Sequence, residues 1–130
     1  MKKVLFVCVE NSCRSQMAEA FAHIHGGNMI EAHSSGSKPS GVVNSKAIQS
    51  MKELDYDLSV HQSKSLDEIP AIEYDYAITM GCGDECPNVQ AKQRLDWQIS
   101  DPKYLEPKEF AEVRDFIEEK VLLLFNEMGY

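Results

Sequence analysis

Val4-Leu5-Phe6-Val7 is an unbroken apolar run, as expected of a strand buried on both faces. From Ser12 the period lengthens. Met17, Ala18, Phe21, Ala22 and Ile24 recur at three- and four-residue spacing and predict a helix with these side chains inward. Residues 29–33 predict a second strand, ending near Ser34-Ser35-Gly36, and residues 37–43, with Pro39, Ser40 and Gly41, predict a loop. Asn44 is placed to cap a helix through position 55, with Ala47, Ile48, Met51 and Leu54 on its inner face. Residues 65–69 allow one helical turn before Pro70. Residues 74–80 predict a third strand, 81–87 a loop and 94–97 a short fourth strand. Pro107 suits a helix start, and Phe110, Val113, Phe116, Ile117, Val121, Leu124 and Phe125 define a long amphipathic helix behind it. This alternation predicts an α/β fold with a four-stranded parallel sheet flanked by helices. Ligands of such sheets bind beyond the carboxyl ends of the strands, where Cys8, the segment after Gly36 and Cys82 fall.

Composition narrows the reading. At 130 residues and 43% hydrophobic, the chain suits a single domain over 1–130 whose core needs no metal or disulfide staple. No apolar run approaches a membrane span. Lys2-Lys3 before an apolar stretch imitates a signal peptide, but Glu10 cuts that stretch short, so a cytoplasmic location is expected. A net charge of −8 argues against a nucleic-acid partner. Much of the excess acid, from Glu106 to Glu127, belongs to a solvated helix face.

The candidate chemistry begins where the first strand ends, in Cys8-Val9-Glu10-Asn11-Ser12-Cys13-Arg14-Ser15. A loop between a strand and a helix start collects backbone N–H groups around one centre, and the helix dipole favours negative charge there. The same field favours a Cys8 thiolate as nucleophile. Arg14 offers a planar fork for two anion oxygens, and Ser15 is close enough in sequence to bond the sulfur. Such a site acts locally, because charges beyond about 8–10 Å are screened. Cys82 and Cys86 form a second group, with three residues between them in a glycine-bearing loop. They read as a zinc half-site, as buried bystanders, or as a redox pair able to close if the loop brings their Cα atoms within about 7 Å. Four cysteines outside an oxidising compartment favour catalytic, redox or metal roles over a structural framework. No metal set follows from the spacing of His23, His25, His33 and His61, which read as surface or packing residues.

The Cys8–Ser15 run resembles the phosphate-binding loop of the low-molecular-weight protein tyrosine phosphatases and of the arsenate reductases that share their fold. The continuation Arg14-Ser15-Gln16-Met17-Ala18-Glu19 is similar to the reductase branch, since the phosphatases usually carry Pro where this chain has Gln16. The resemblance covers nearly the whole chain and implies a low-molecular-weight phosphatase-like fold, with Val9, Glu10, Asn11, Ser12, Cys13, Arg14 and Ser15 binding the oxyanion. It implies arsenate as substrate, with phosphate or sulfate as analogues, and Cys8 as the attacking thiolate. Cys82 and Cys86 would relay the oxidation to an external thiol reductant, thioredoxin above all, with no bound cofactor, metal or membrane and a monomeric chain. Thioredoxin-coupled relatives usually have more residues between the second and third cysteines, which leaves a small thiol as another resolving agent for Cys82. Cys13, which the phosphatases also carry, reads as a packing or protective thiol.

The resemblance also makes Asp101, in Asp101-Pro102, the general acid. It places Asn11 in a left-handed bend, and it puts Glu10 where many relatives have Gly. Some relatives bind potassium beside this loop through Asn, Glu, Ser and Asp. Asn11, Glu19 and Ser34 match three of these positions and Lys64 falls on the fourth, so its ammonium is expected to replace the cation. A phosphatase, needing only Cys8, Arg14 and Asp101, is the first alternative, although phosphotyrosine binding wants aromatic walls and only Tyr104 stands near. A non-catalytic oxyanion or redox sensor is the second.

Overall fold

The computed structural model describes residues 1–81 and 89–130. Its four strands are β1 (Lys2–Cys8), β2 (Ile30–Gly36), β3 (Tyr74–Thr79) and β4 (Ala91–Asp96). They form one parallel sheet in the order β2-β1-β3-β4. Among the described residues three α-helices accompany them: α1 (Arg14–Gly26), α2 (Ser45–Lys52) and α3 (Pro107–Glu127).

Alternation along β1 divides the core. Val4, Phe6 and Cys8 face the helices, together with Met17 and Phe21 of α1 and Phe110 and Ile117 of α3. Leu5 and Val7 face the other side, where Tyr74 is buried and Leu66, Ile69 and Ile72 pack against them. Phe6, Phe21 and Phe110 are fully buried, each worth roughly 1.5–3 kcal/mol of transfer free energy. The chain leaves β1 for β2 on one side and later returns to β3 on the other. Cys8 therefore ends the strand at the point where the order reverses, the crevice such sheets offer to ligands.

Several boundaries differ from the pattern reading. β2 ends at Gly36, within the expected end, with Cys8 as its partner, whereas β4 begins at Ala91, earlier than expected, because Tyr74 pairs there. α1 starts at Arg14, two residues after Ser12, since Asn11 takes φ 50° and Cys13 is its N-cap. α2 stops at Lys52, short of Asp55, which adopts φ 62°. Ile24 and Phe116 were expected inside but are 42% and 44% exposed, so the periodicity overstated the buried faces of α1 and α3 by one position each, while Leu54, 38% exposed, lies beyond the end of α2. The turn before Pro70 is a short 3-10 segment, Leu66–Glu68, closed by reciprocal Ser65 and Glu68 contacts. Asn44 caps α2 as its sequence implied, its side chain accepting from Lys46 N at 2.8 Å.

Candidate active site

Between Cys8 and Arg14 the loop is held from outside, by its carbonyls. Cys8 O accepts from Ser37 N at 3.3 Å, Val9 O from Lys38 N at 2.8 Å, Glu10 O from Ser40 N at 3.0 Å and Ser12 O from Asn44 N at 3.1 Å. Ser63 Oγ donates to Glu10 O at 2.9 Å, and Gln16 Nε2 to Asn11 O at 3.1 Å. Every peptide here is trans, so each outward carbonyl turns the N–H on the other side of its planar peptide inward. The result is a concave row of amide donors facing the region of Cys8, which ends in the first turn of α1 and suits a tetrahedral anion. Gly36 lets β2 approach this loop: a Cβ there would lie 2.5 Å from Val9 O and 2.9 Å from Asn11 N.

Hydrogen-bond polarity decides which way the Ser15 proton points. The Lys64 backbone N–H donates to Asn11 Oδ1 at 2.7 Å, which fixes that oxygen as acceptor. Asn11 Nδ2 then donates to Ser15 Oγ at 2.7 Å. The hydroxyl proton is left for Cys8 Sγ, 2.9 Å away, so Ser15 donates to the sulfur. Behind this pair, Gln16 Nε2 reaches Asn11 Oδ1 at 2.8 Å and Gln62 O at 2.8 Å. Gln16 Oε1 faces His61 Nδ1 at 2.9 Å, and His61 Nε2 faces Tyr56 Oη at 2.6 Å.

Arg14, 5% exposed, donates through Nη1 to Met80 O at 2.6 Å and Ile99 O at 3.0 Å. Its Nη2 lies 3.8 Å from Asp101 Oδ2. Gly81 makes room for it, because a Cβ there would stand 2.7 Å from Nη1 and 2.9 Å from Ile99 O. Arg14, Gly81, Gln98, Ile99, Ser100 and Asp101 line an open polar cavity, into which the more exposed Asp101 brings its carboxylate. Glu10, unusual at its position by the family resemblance, pairs with Lys103 Nζ at 3.0 Å, two residues beyond Asp101.

The thiol of Cys13 is pushed up to about 12, first by burial and then by the neighbouring Asp101 and Cys8, which leaves it a poor nucleophile at neutral pH. Burial also pushes His61 down, against the opposing pull of Glu19. Burial would raise the Glu19 carboxyl, but bonds from His23 and Ser34 and the Lys64 charge outweigh it and hold the group below its ordinary range. Lys64 Nζ stands 3.8 Å from Glu19 Oε1, and Ser34 Oγ donates to the same oxygen at 2.7 Å.

The structure thus brings Cys8, Arg14, Ser15 and Asp101 to one mouth of the sheet. Cys82 and Cys86 lie outside the described residues. Gln16, His61 and Gly81 carry parts of the site that sequence reasoning did not assign. Gln16 had registered only as a branch marker, and the glycine before Cys82 was the one local signal for Gly81.

Fold and loop together define a phosphatase-type oxyanion site, and the chain belongs to the low molecular weight phosphotyrosine protein phosphatase family, whose profile matches residues 3–129. Within that family it is similar to several proteins named as arsenate reductases. The glutaredoxin arsenate reductase of Synechocystis sp. is 40% identical over 124 residues, which cover 93% of this chain and 94% of the relative. A solved arsenate reductase in the phosphate binding state superimposes with a TM-score of 0.87 at 39% identity, covering 98% of both chains. The thioredoxin-dependent arsenate reductase of Corynebacterium glutamicum superimposes with a TM-score of 0.81 at 32% identity, covering 99% of this chain and 62% of that one.

Proposed function

We propose that the protein is an arsenate reductase that attacks its substrate with Cys8 and passes the oxidation to an external thiol reductant. The observation that carries this reading is the Cys8 loop. Its carbonyls are tied outward, its amides are turned inward, and Ser15 donates to the sulfur at 2.9 Å.

Arsenate seats in the cradle of residues 9–15, its charge met by N–H groups and by Arg14. Cys8 Sγ forms a bond to arsenic as an As–O bond breaks, and Asp101 supplies the proton with which that oxygen leaves as water. Cys82 then attacks Cys8 Sγ. The S–As bond breaks with its electron pair on arsenic, so As(V) becomes As(III) and the two sulfurs are oxidised to a disulfide. Cys86 displaces Cys8 from Cys82, which returns the Cys8 thiolate and leaves a Cys82–Cys86 disulfide for the external reductant to reopen. Thioredoxin is the proposed donor, supported by the thioredoxin-dependent relative; the glutaredoxin named for another relative favours a glutaredoxin–glutathione couple as the second reading. A relay fed by external thiols works in a reducing compartment, which supports a cytoplasmic location. Cys8, Arg14, Ser15 and Asp101 meet within one chain, which supports a monomeric working unit.

A phosphatase would use the same Cys8, Arg14 and Asp101, so weak aryl-phosphate hydrolysis is expected. Efficient phosphotyrosine binding lacks support: residues 37–43 hold no aromatic wall, and Tyr104 is 86% exposed. At the cation position, Lys64 beside Glu19 takes the place of potassium. Turnover in KCl should equal turnover in NaCl, and Lys64→Asp should become potassium-stimulated; clear potassium activation of the unaltered protein would sink that part of the reading.

The test is arsenate-dependent NADPH oxidation, coupled through thioredoxin and its reductase or through glutaredoxin, glutathione and its reductase. Turnover that disappears in both Cys82→Ser and Cys86→Ser supports the relay. Loss in Cys82→Ser alone removes Cys86 from it, and the coupling system that sustains turnover identifies the donor. Absence of arsenate turnover with both systems, alongside phosphate-ester hydrolysis, would replace the reductase by the phosphatase.

A further inference from the structure

His23 and His61 are 38 positions apart and share no spacing motif, yet the fold brings both against one carboxylate oxygen. Glu19 and His23 stand one turn apart on α1. His61 reaches the same point from the segment that follows the 3-10 turn Leu58–Val60. Glu19 Oε2 lies 3.3 Å from His23 Nε2 and 3.4 Å from His61 Nδ1, and the three atoms all fall within 4.8 Å of one another. A tetrahedral zinc ion with ligand bonds of about 2.0–2.1 Å requires ligand–ligand edges of about 3.3 Å. Two of the three edges already have that length.

We propose that Glu19, His23 and His61 form a binding site for a borderline-soft divalent cation of the zinc class, separate from the oxyanion site and behind its loop. Imidazole and carboxylate donors match that class. Outer partners hold the ligands in place. Ser34 Oγ donates to Glu19 Oε1 at 2.7 Å, leaving Oε2 for the two rings, and Tyr56 Oη stands 2.6 Å from His61 Nε2. Binding at Nδ1 needs the His61 proton on Nε2, where the Tyr56 oxygen can accept it. The Lys64 ammonium pairs at 3.8 Å with Oε1, the oxygen that Ser34 also holds, and bonds Gln62 O at 3.0 Å. His23 is the exposed member and gives the ion its entry. Gln16 Oε1, 2.9 Å from His61 Nδ1, would be released or recruited by the ion, and Gln16 holds Asn11 of the catalytic loop. Occupancy therefore reaches Cys8 through Gln16, Asn11 and Ser15.

Cobalt(II) titration of the full reduced chain tests this, because its visible bands separate nitrogen and oxygen ligands from thiolates. The expected result is one cobalt per chain with tetrahedral bands, no thiolate charge-transfer band, and affinity lowered more than about tenfold in His23→Gln and in His61→Gln. His23→Gln alters an exposed side chain, so it tests the site with the fold intact; an unchanged melting curve verifies this. Thiolate bands, affinity indifferent to His23→Gln, or no saturable binding would each overturn the proposal.

Discussion

Ser15 receives one proton from Asn11 and spends its own on Cys8, so its hydroxyl cannot be replaced by a group of similar size that lacks polarity. A hydrogen bond to a charged group is worth about 1.5–3 kcal/mol, which corresponds to roughly a 10- to 150-fold loss of rate if the thiolate loses it. Ser15→Ala should therefore lower arsenate turnover by one to two orders of magnitude, with a melting temperature close to the parent's; an unchanged rate would show that the sulfur does not need this donor. Gly81 works by what it lacks. At φ 83° it lies where a Cβ would meet Arg14 Nη1 at 2.7 Å, so Gly81→Ala should displace the guanidinium. Steady-state kinetics should show a KM for arsenate raised on the order of tenfold, and weaker competition by phosphate, as expected when a paired donor to the anion is lost. Neither role can be read from residue type alone, since serine and glycine are also ordinary loop residues.

Among the elements, the ends carry the function and the middles carry the stability. β1 is buried along Val4–Val7, and its last residue is Cys8, the proposed nucleophile. α1 is buried along most of its length, so its apolar stripe is poorly defined and the sequence placed its start only to within two residues. α2 and α3 are joined by a contact the pattern could not announce. Arg114, 8% exposed, donates to Ser50 O at 2.8 Å and to Glu53 Oε1 at 2.7 Å. In the sequence it is one more charge on an acidic helix. In the fold it satisfies a backbone carbonyl of α2. Arg114→Ala should cost about 1–3 kcal/mol by leaving that carbonyl short of its donor, seen as a lower urea midpoint, while the KM for arsenate stays unchanged. A midpoint equal to the parent's would mean that water replaces the guanidinium.

On the scale of the whole molecule, net charge −8 is compatible with the proposed anion site, whose donors would be backbone amides and one buried arginine, while most of the acids lie toward the surface. One of those acids ties the sheet together. Asp75 of β3 accepts from the Lys3 backbone N–H of β1 at 2.8 Å. That bond first, with Lys92 beside it and burial opposing, holds the carboxyl below its ordinary 3.8. A depressed carboxyl contributes stability that is complete above its unfolded value and drains away as the pH falls through the lower folded one. The acid limb of the stability curve should therefore begin near pH 4 and flatten in Asp75→Asn; identical acid limbs would exclude the contribution. The sequence by itself determined the alternating α/β architecture, the strand–loop–helix placement of Cys8, Arg14 and Ser15, and the family likeness, because these depend on periodicity and on neighbours within a few residues. Only the tertiary structure decided that Arg14 leans on Met80 and Ile99 toward Asp101, that Lys64 N–H sets the polarity leading to the Cys8 sulfur, and that His61 meets Glu19 and His23. These contacts join positions 38 to 87 residues apart, and the sheet order and loop packing that close such distances leave no local trace in the chain.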